Sequence, residues 1–145
     1  MSSFLLPLHL VFVGVWLGCV LTEALFERAL LGKGHEQELI LANLHKRVDL
    51  FVEIPAFVVV LVTGALLLAG SSPGWLLQTK IVFGLVAIGA NIYCVRLVFR
   101  RATAAASGQL QEFSRLDRLQ HKLGAGVAFG ILMALSIGVY LSARV

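Results

Sequence analysis

Four long apolar stretches alternate with short polar ones along the chain, at about residues 4–31, 44–69, 75–101 and 116–142. Each is long enough to cross the hydrocarbon core of a bilayer, which takes roughly 20 helical residues. A run of this kind is helical in lipid, because only a helix satisfies all its backbone N–H and C=O groups within one segment. The pattern predicts an all-α protein: an integral membrane four-helix antiparallel bundle, with residues 1–145 as a single transmembrane domain. Pro7 falls in the first turn of the first stretch, where a proline is tolerated. The polar intervals are a connection over 32–44, partly helical, the breaker Gly70-Ser71-Ser72-Pro73-Gly74, and a small, polar linker over 102–108. Residues 109–122 form an amphipathic lead-in to the last span. Gly14 and Gly18, and then Gly126, Gly130, Ala134 and Gly138, recur at steps of four, a spacing that allows helices to approach closely.

Composition sharpens this picture. A hydrophobic fraction of 59% and a mean hydropathy of +0.90 exclude an ordinary soluble domain. Ten of the 12 Lys and Arg residues lie in or beside the first and third connections (Arg28, Lys33, Lys46 and Arg47, then Arg96, Arg100, Arg101, Arg115, Arg118 and Lys122). Only Lys80 and Arg144 lie at the other end. By the positive-inside rule both basic loops are cytoplasmic and both termini outside, as in a bacterial inner-membrane protein. The net charge of +4 therefore reflects topology rather than nucleic-acid binding. Cys19 and Cys94 sit inside apolar stretches in no paired motif, so a disulfide framework is not expected. The first stretch has no basic leader and outlasts a signal-peptide core, which favours a retained helix.

Candidate chemistry comes from ionisable residues at membrane depth, which are costly and usually face the bundle interior with partners. His45, Asp49 and Glu53 recur every fourth residue and share one helix face as they enter the second span. In an antiparallel bundle, Glu23 and Glu27 on the first span, Asn91 on the third, and Asp117 with His121 on the fourth reach the same cytoplasmic layer. Carboxylates and imidazoles converging from facing helices suit a non-haem metal, iron, copper or zinc. The candidate ligands are Glu23, Glu27, His45, Asp49, Glu53, Asn91 and His121. The alternative is structural: the same acids paired with Arg28, Arg47, Arg96, Arg118 or Lys122 near the headgroups. His35 belongs to the surface. At the outer layer, His9 and Lys80 occupy similar depth, with Trp16 two turns further in.

The order of several residues resembles the HemJ-type protoporphyrinogen oxidases and the wider CopD-like group of small membrane proteins. The residues are His9 and Trp16, Lys46-Arg47 before Pro55 and Gly64, and Trp75 with Lys80. The likeness covers about the first two-thirds of the chain. It implies a four-helix membrane protein, homo-oligomeric, that binds b-type haem through His9 and Lys80, with Trp16 nearby and a porphyrin as a possible substrate. The chain departs from the family in reading Asn91-Ile92-Tyr93-Cys94 where the family has a Tyr-His pair, and in carrying Glu23, Asp49, Glu53 and His121.

Three function classes follow. The first is a membrane oxidoreductase or electron-transfer protein with haem or a non-haem metal inside the bundle. The second is a transition-metal binding or transport protein, and the third a non-catalytic accessory subunit. Soluble hydrolase chemistry has no support, since no nucleophile motif or phosphate loop is present.

Overall fold

A computed structural model describes residues 2–69 and 74–143, with side chains from residue 4. The breaker over 70–73 and Arg144 lie outside the described residues. Four helices make up the fold: α1 (Ser2–Leu30), α2 (His35–Leu68), α3 (Trp75–Ala106) and α4 (Leu110–Ser142), all long and apolar enough to cross a membrane. Large apolar side chains face outward along them, among them Val11, Phe51, Val62, Val86 and Phe129. That is the arrangement of a protein whose solvent is lipid, and the chain is an integral membrane protein in a four-helix antiparallel bundle.

The connection over 32–44 is partly helical, as the pattern predicts, and the linker over 102–108 is shorter than predicted. The 32–44 connection is helical from His35 onward, and α3 runs through the expected linker as far as Ala106. Ala102 and Ala104–Ala106 are strong helix formers, so only Gly108 ends the run. Gly108 (φ 71°), Gly32 (φ 71°) and Gly34 (φ 122°) occupy the left-handed region that makes these turns tight. Packing explains the extra turns. Ala42 on α2, Leu97, Ala104 and Ala105 on α3, and Phe113 and Leu116 on α4 form a buried cluster at the basic-loop end. At 1.5 Å per residue, the 34-residue α2 is roughly 51 Å long, well beyond the hydrocarbon thickness of about 30 Å. The surplus turns of α2, α3 and α4 thus build a second core beside the membrane core.

The membrane core joins Val13 and Trp16 of α1, Ala56, Phe57 and Val60 of α2, Ala87, Ile88 and Cys94 of α3, and Val127 and Ile131 of α4. Trp16 and Phe57 meet at 6.1 Å between ring centroids. The small-residue steps divide sharply. A Cβ on Gly130 would stand 3.0 Å from Ala87 Cβ and 3.3 Å from the Phe83 carbonyl, so α3 and α4 cross closely there. Gly14, Gly18 and Gly126 have open space instead and make no close helix contact within the protomer.

Helix α2 is not uniformly α. Asp49–Glu53 form a π-helical turn, followed by Pro55 in the first turn of the resumed α-helix. Proline lacks an N–H and its ring crowds the carbonyl four residues back, here Phe51, so the ladder widens before it. A turn closed by i→i+5 bonds holds more than four residues. Positions i and i+4, here Asp49 and Glu53, therefore stand more nearly above one another than on an α-helix.

Candidate metal and cofactor sites

The cytoplasmic layer predicted from sequence separates into two neighbouring groups. One is an ion-pair network centred on Arg101 of α3, whose side chain is 0% exposed. Its Nη1 donates to Asp117 at 2.5 Å and to Glu27 at 3.4 Å, and its Nη2 donates to His45 Nδ1 at 2.7 Å. Glu27 also accepts from His121 Nδ1 at 2.8 Å, and His121 is largely exposed. A guanidinium has only donors, so His45 Nδ1 must accept. The His45 proton therefore sits on Nε2, which lies 3.4 Å from the Glu23 carbonyl. Gln120 adds a second donor to His45 Nδ1 at 3.2 Å. Both ring nitrogens of His45 are engaged within the network.

The structural alternative pairs Glu27, Asp117 and His121 with Arg28, Arg47, Arg118 or Lys122; in the structure Arg101 pairs with Glu27 and Asp117, and His121 pairs with Glu27. Arg101 was counted only as a loop charge. The signal for it was present: the buried stripe Ala87, Asn91, Cys94, Val98 and Ala105 passes through position 101 once α3 is extended beyond its apolar run. Gln120 was missed because it lies in the stretch assigned to an amphipathic lead-in.

The second group is Glu23 of α1 with Asp49 and Glu53 of the π turn. One carboxylate oxygen from each lies within 4.8 Å of the others. Asp49 is 1% and Glu53 2% exposed. Both oxygens of Asp49 and Oε1 of Glu23 are buried, and the side chains that reach Asp49 are the carboxyls of Glu23 and Glu53, with which it can share a proton. Trp16 and Asn91 stand beside Glu53 with their N–H groups toward its carboxylate, and neither Trp16 Nε1 nor Asn91 Nδ2 makes a hydrogen bond of ordinary length. Two like charges 4.8 Å apart repel by roughly 3–4 kcal/mol at an effective dielectric of about 20. Three carboxyls this close cannot all be ionised unless a proton or a further cation offsets their charge; Arg101, engaged with Asp117, Glu27 and His45, acts on Asp49 only through space. The group opens on a cleft of about 270 Å³ between α1 and α4, which Glu27 and His121 also line.

The outer residues meet as well. His9, Trp16 and Lys80 line one cavity of about 400 Å³ to which all four helices contribute, its walls otherwise mostly Leu, Ile, Val, Ala and Gly. His9 Nδ1 lies 2.8 Å from Thr63 Oγ1, and that hydroxyl donates to the Val59 carbonyl at 2.6 Å. With its one proton committed to the backbone, Thr63 can only accept from His9. The proton of His9 is thus on Nδ1, and the neutral ring carries its lone pair on Nε2. Gly64 makes room for the ring: a Cβ there would stand 3.3 Å from His9 Cε1. Thr63 was not among the sequence candidates, although it is a lone hydroxyl on the buried stripe Ala56, Phe57 and Val60.

Comparison with known proteins finds no family model, no curated protein and no solved structure that matches the chain.

Proposed function

We propose that the protein is a membrane redox protein that carries b-type haem in the outer cavity, where His9 would hold the iron. One observation carries this reading. The Thr63 hydroxyl fixes the tautomer of His9, so that Nε2 presents a lone pair in an apolar cavity shared with Lys80. A metal-ligating histidine ordinarily donates its other ring N–H to an oxygen, which sets the ring orientation and raises the basicity of the ligating nitrogen. The residues fit the group. The volume of about 400 Å³ lies in the range of cofactor pockets, and the walls are apolar. Lys80 supplies a cation for the carboxylates a haem carries. The likeness of His9, Trp16, Gly64, Trp75 and Lys80 to the HemJ-type proteins supports the same assignment. When bound, the haem iron supplies one-electron chemistry.

The remaining steps belong to the chain. Thr63 holds the imidazole, Gly64 leaves space beside it, Lys80 would pair with an anionic edge of the group, and Leu, Ile and Val side chains line the rest of the cavity. The optical spectrum and extractable haem of the protein purified from membranes test the proposal. A Soret band that disappears in His9→Ala is the expected result. A colourless protein that takes up no haem on reconstitution overturns it.

A further inference from the structure

We infer that Glu23, Asp49, Glu53 and Asn91 form a separate site for a hard divalent cation of the magnesium, calcium or manganese class. It is independent of the haem proposal. Hard cations take oxygen ligands at about 2.0–2.6 Å, so oxygens on opposite sides of one ion stand roughly 4–5 Å apart. The three carboxylate oxygens, all within 4.8 Å of one another, have that spread.

Asn91 is the independent observation. It belongs to α3, outside the acidic cluster, is 2% exposed and lines the same cleft as the three acids. Its amide nitrogen faces the Glu53 carboxylate without making a hydrogen bond of ordinary length. A buried amide left unpaired is costly, whereas the same amide turned about its last torsion would present Oδ1 as a fourth oxygen ligand. The π turn points the same way. It brings Asp49 and Glu53 over one another on the face opposite Glu23, and such turns recur at functional sites.

The donor set selects the ion class. All four ligands are hard oxygens; His45 has its Nδ1 lone pair taken by Arg101 and Gln120, and His121, which lines the same cleft, gives its Nδ1 to Glu27. Zinc and copper, which favour imidazole or thiolate, are therefore disfavoured against magnesium, calcium or manganese. The small residues Ala24, Gly124, Ala125 and Ala128 lining the cleft leave a passage for the ion between α1 and α4.

Manganese(II) binding, followed by electron paramagnetic resonance on the full chain in lipid nanodiscs, tests the site. The wild-type protein should retain Mn²⁺, and Ca²⁺ or Mg²⁺ should displace it. Disturbing an outer partner of a metal site costs about 10–100-fold, so removing a ligand charge in Asp49→Asn should weaken binding by about 100-fold or more. His9→Ala should leave it unchanged. Should Asp49→Asn fail to fold, Glu53→Gln carries the same expectation. Thermal unfolding of the wild type, with a midpoint that rises with Mn²⁺, needs no variant at all. A wild-type protein that binds no Mn²⁺ at about 1 mM, the weak end of biological sites, overturns the inference. So does an Asp49→Asn variant that binds as tightly as wild type.

Discussion

His9 and Thr63, 54 positions apart on α1 and α2, share a 2.8 Å hydrogen bond whose direction is fixed by a third group, the Val59 carbonyl 2.6 Å from the Thr63 hydroxyl. A pair of residues held this way sets which imidazole nitrogen is left as a base. Removing the hydroxyl in Thr63→Val keeps the side-chain shape and frees the ring to adopt either tautomer. Haem affinity should fall by about 10–100-fold, as for other losses of a ligand's outer partner. Thr63→Ser should restore it. Haem titration of the apo-protein with optical detection checks both, and equal affinity in Thr63→Val would remove Thr63 from the account.

Arg101 holds the core at the basic-loop end together through two carboxylates and an imidazole. Arg101→Met would leave Glu27 and Asp117 buried without their cation and should destabilise the fold by about 3–5 kcal/mol. Arg101→Lys should recover little, because an ammonium cannot reproduce the fork that reaches His45 and Asp117 together. Denaturant unfolding in mixed micelles measures both variants.

Gly130 and Gly18 should respond in opposite ways to the same change. Gly130→Leu forces atoms into Ala87 and the Phe83 carbonyl and should destabilise by about 1–3 kcal/mol. Gly18→Leu meets nothing within 4 Å in the protomer. If the exposed Gly14 and Gly18 face joins two copies, as such small-residue faces do, Gly18→Leu should leave unfolding unchanged and abolish the dimer in cross-linking. A dimer that persists in Gly18→Leu places the contact elsewhere.

Topology is open to direct labelling, since Cys19 and Cys94 are both buried and give little background. Ser107→Cys, in the turn between α3 and α4, should react with a membrane-impermeant maleimide only from the cytoplasmic side, as the basic flanks of that turn predict. Reaction from outside would invert the bundle.

The sequence by itself determined the four apolar helices, the layer at which acids and histidines gather, and the shared depth of His9 and Lys80. Hydropathy and a fixed rise per residue suffice for those, because membrane thickness converts chain position into depth. Only the tertiary structure decided who partners whom within a layer. Azimuth around each helix depends on packing and on the π turn before Pro55, which no depth argument contains. That is why His45 stands with Arg101 rather than among Glu23, Asp49 and Glu53. It is also why the polar connections became helix: Ala42, Ala104 and Phe113 are ordinary residues until three helix ends bring them together to bury one another.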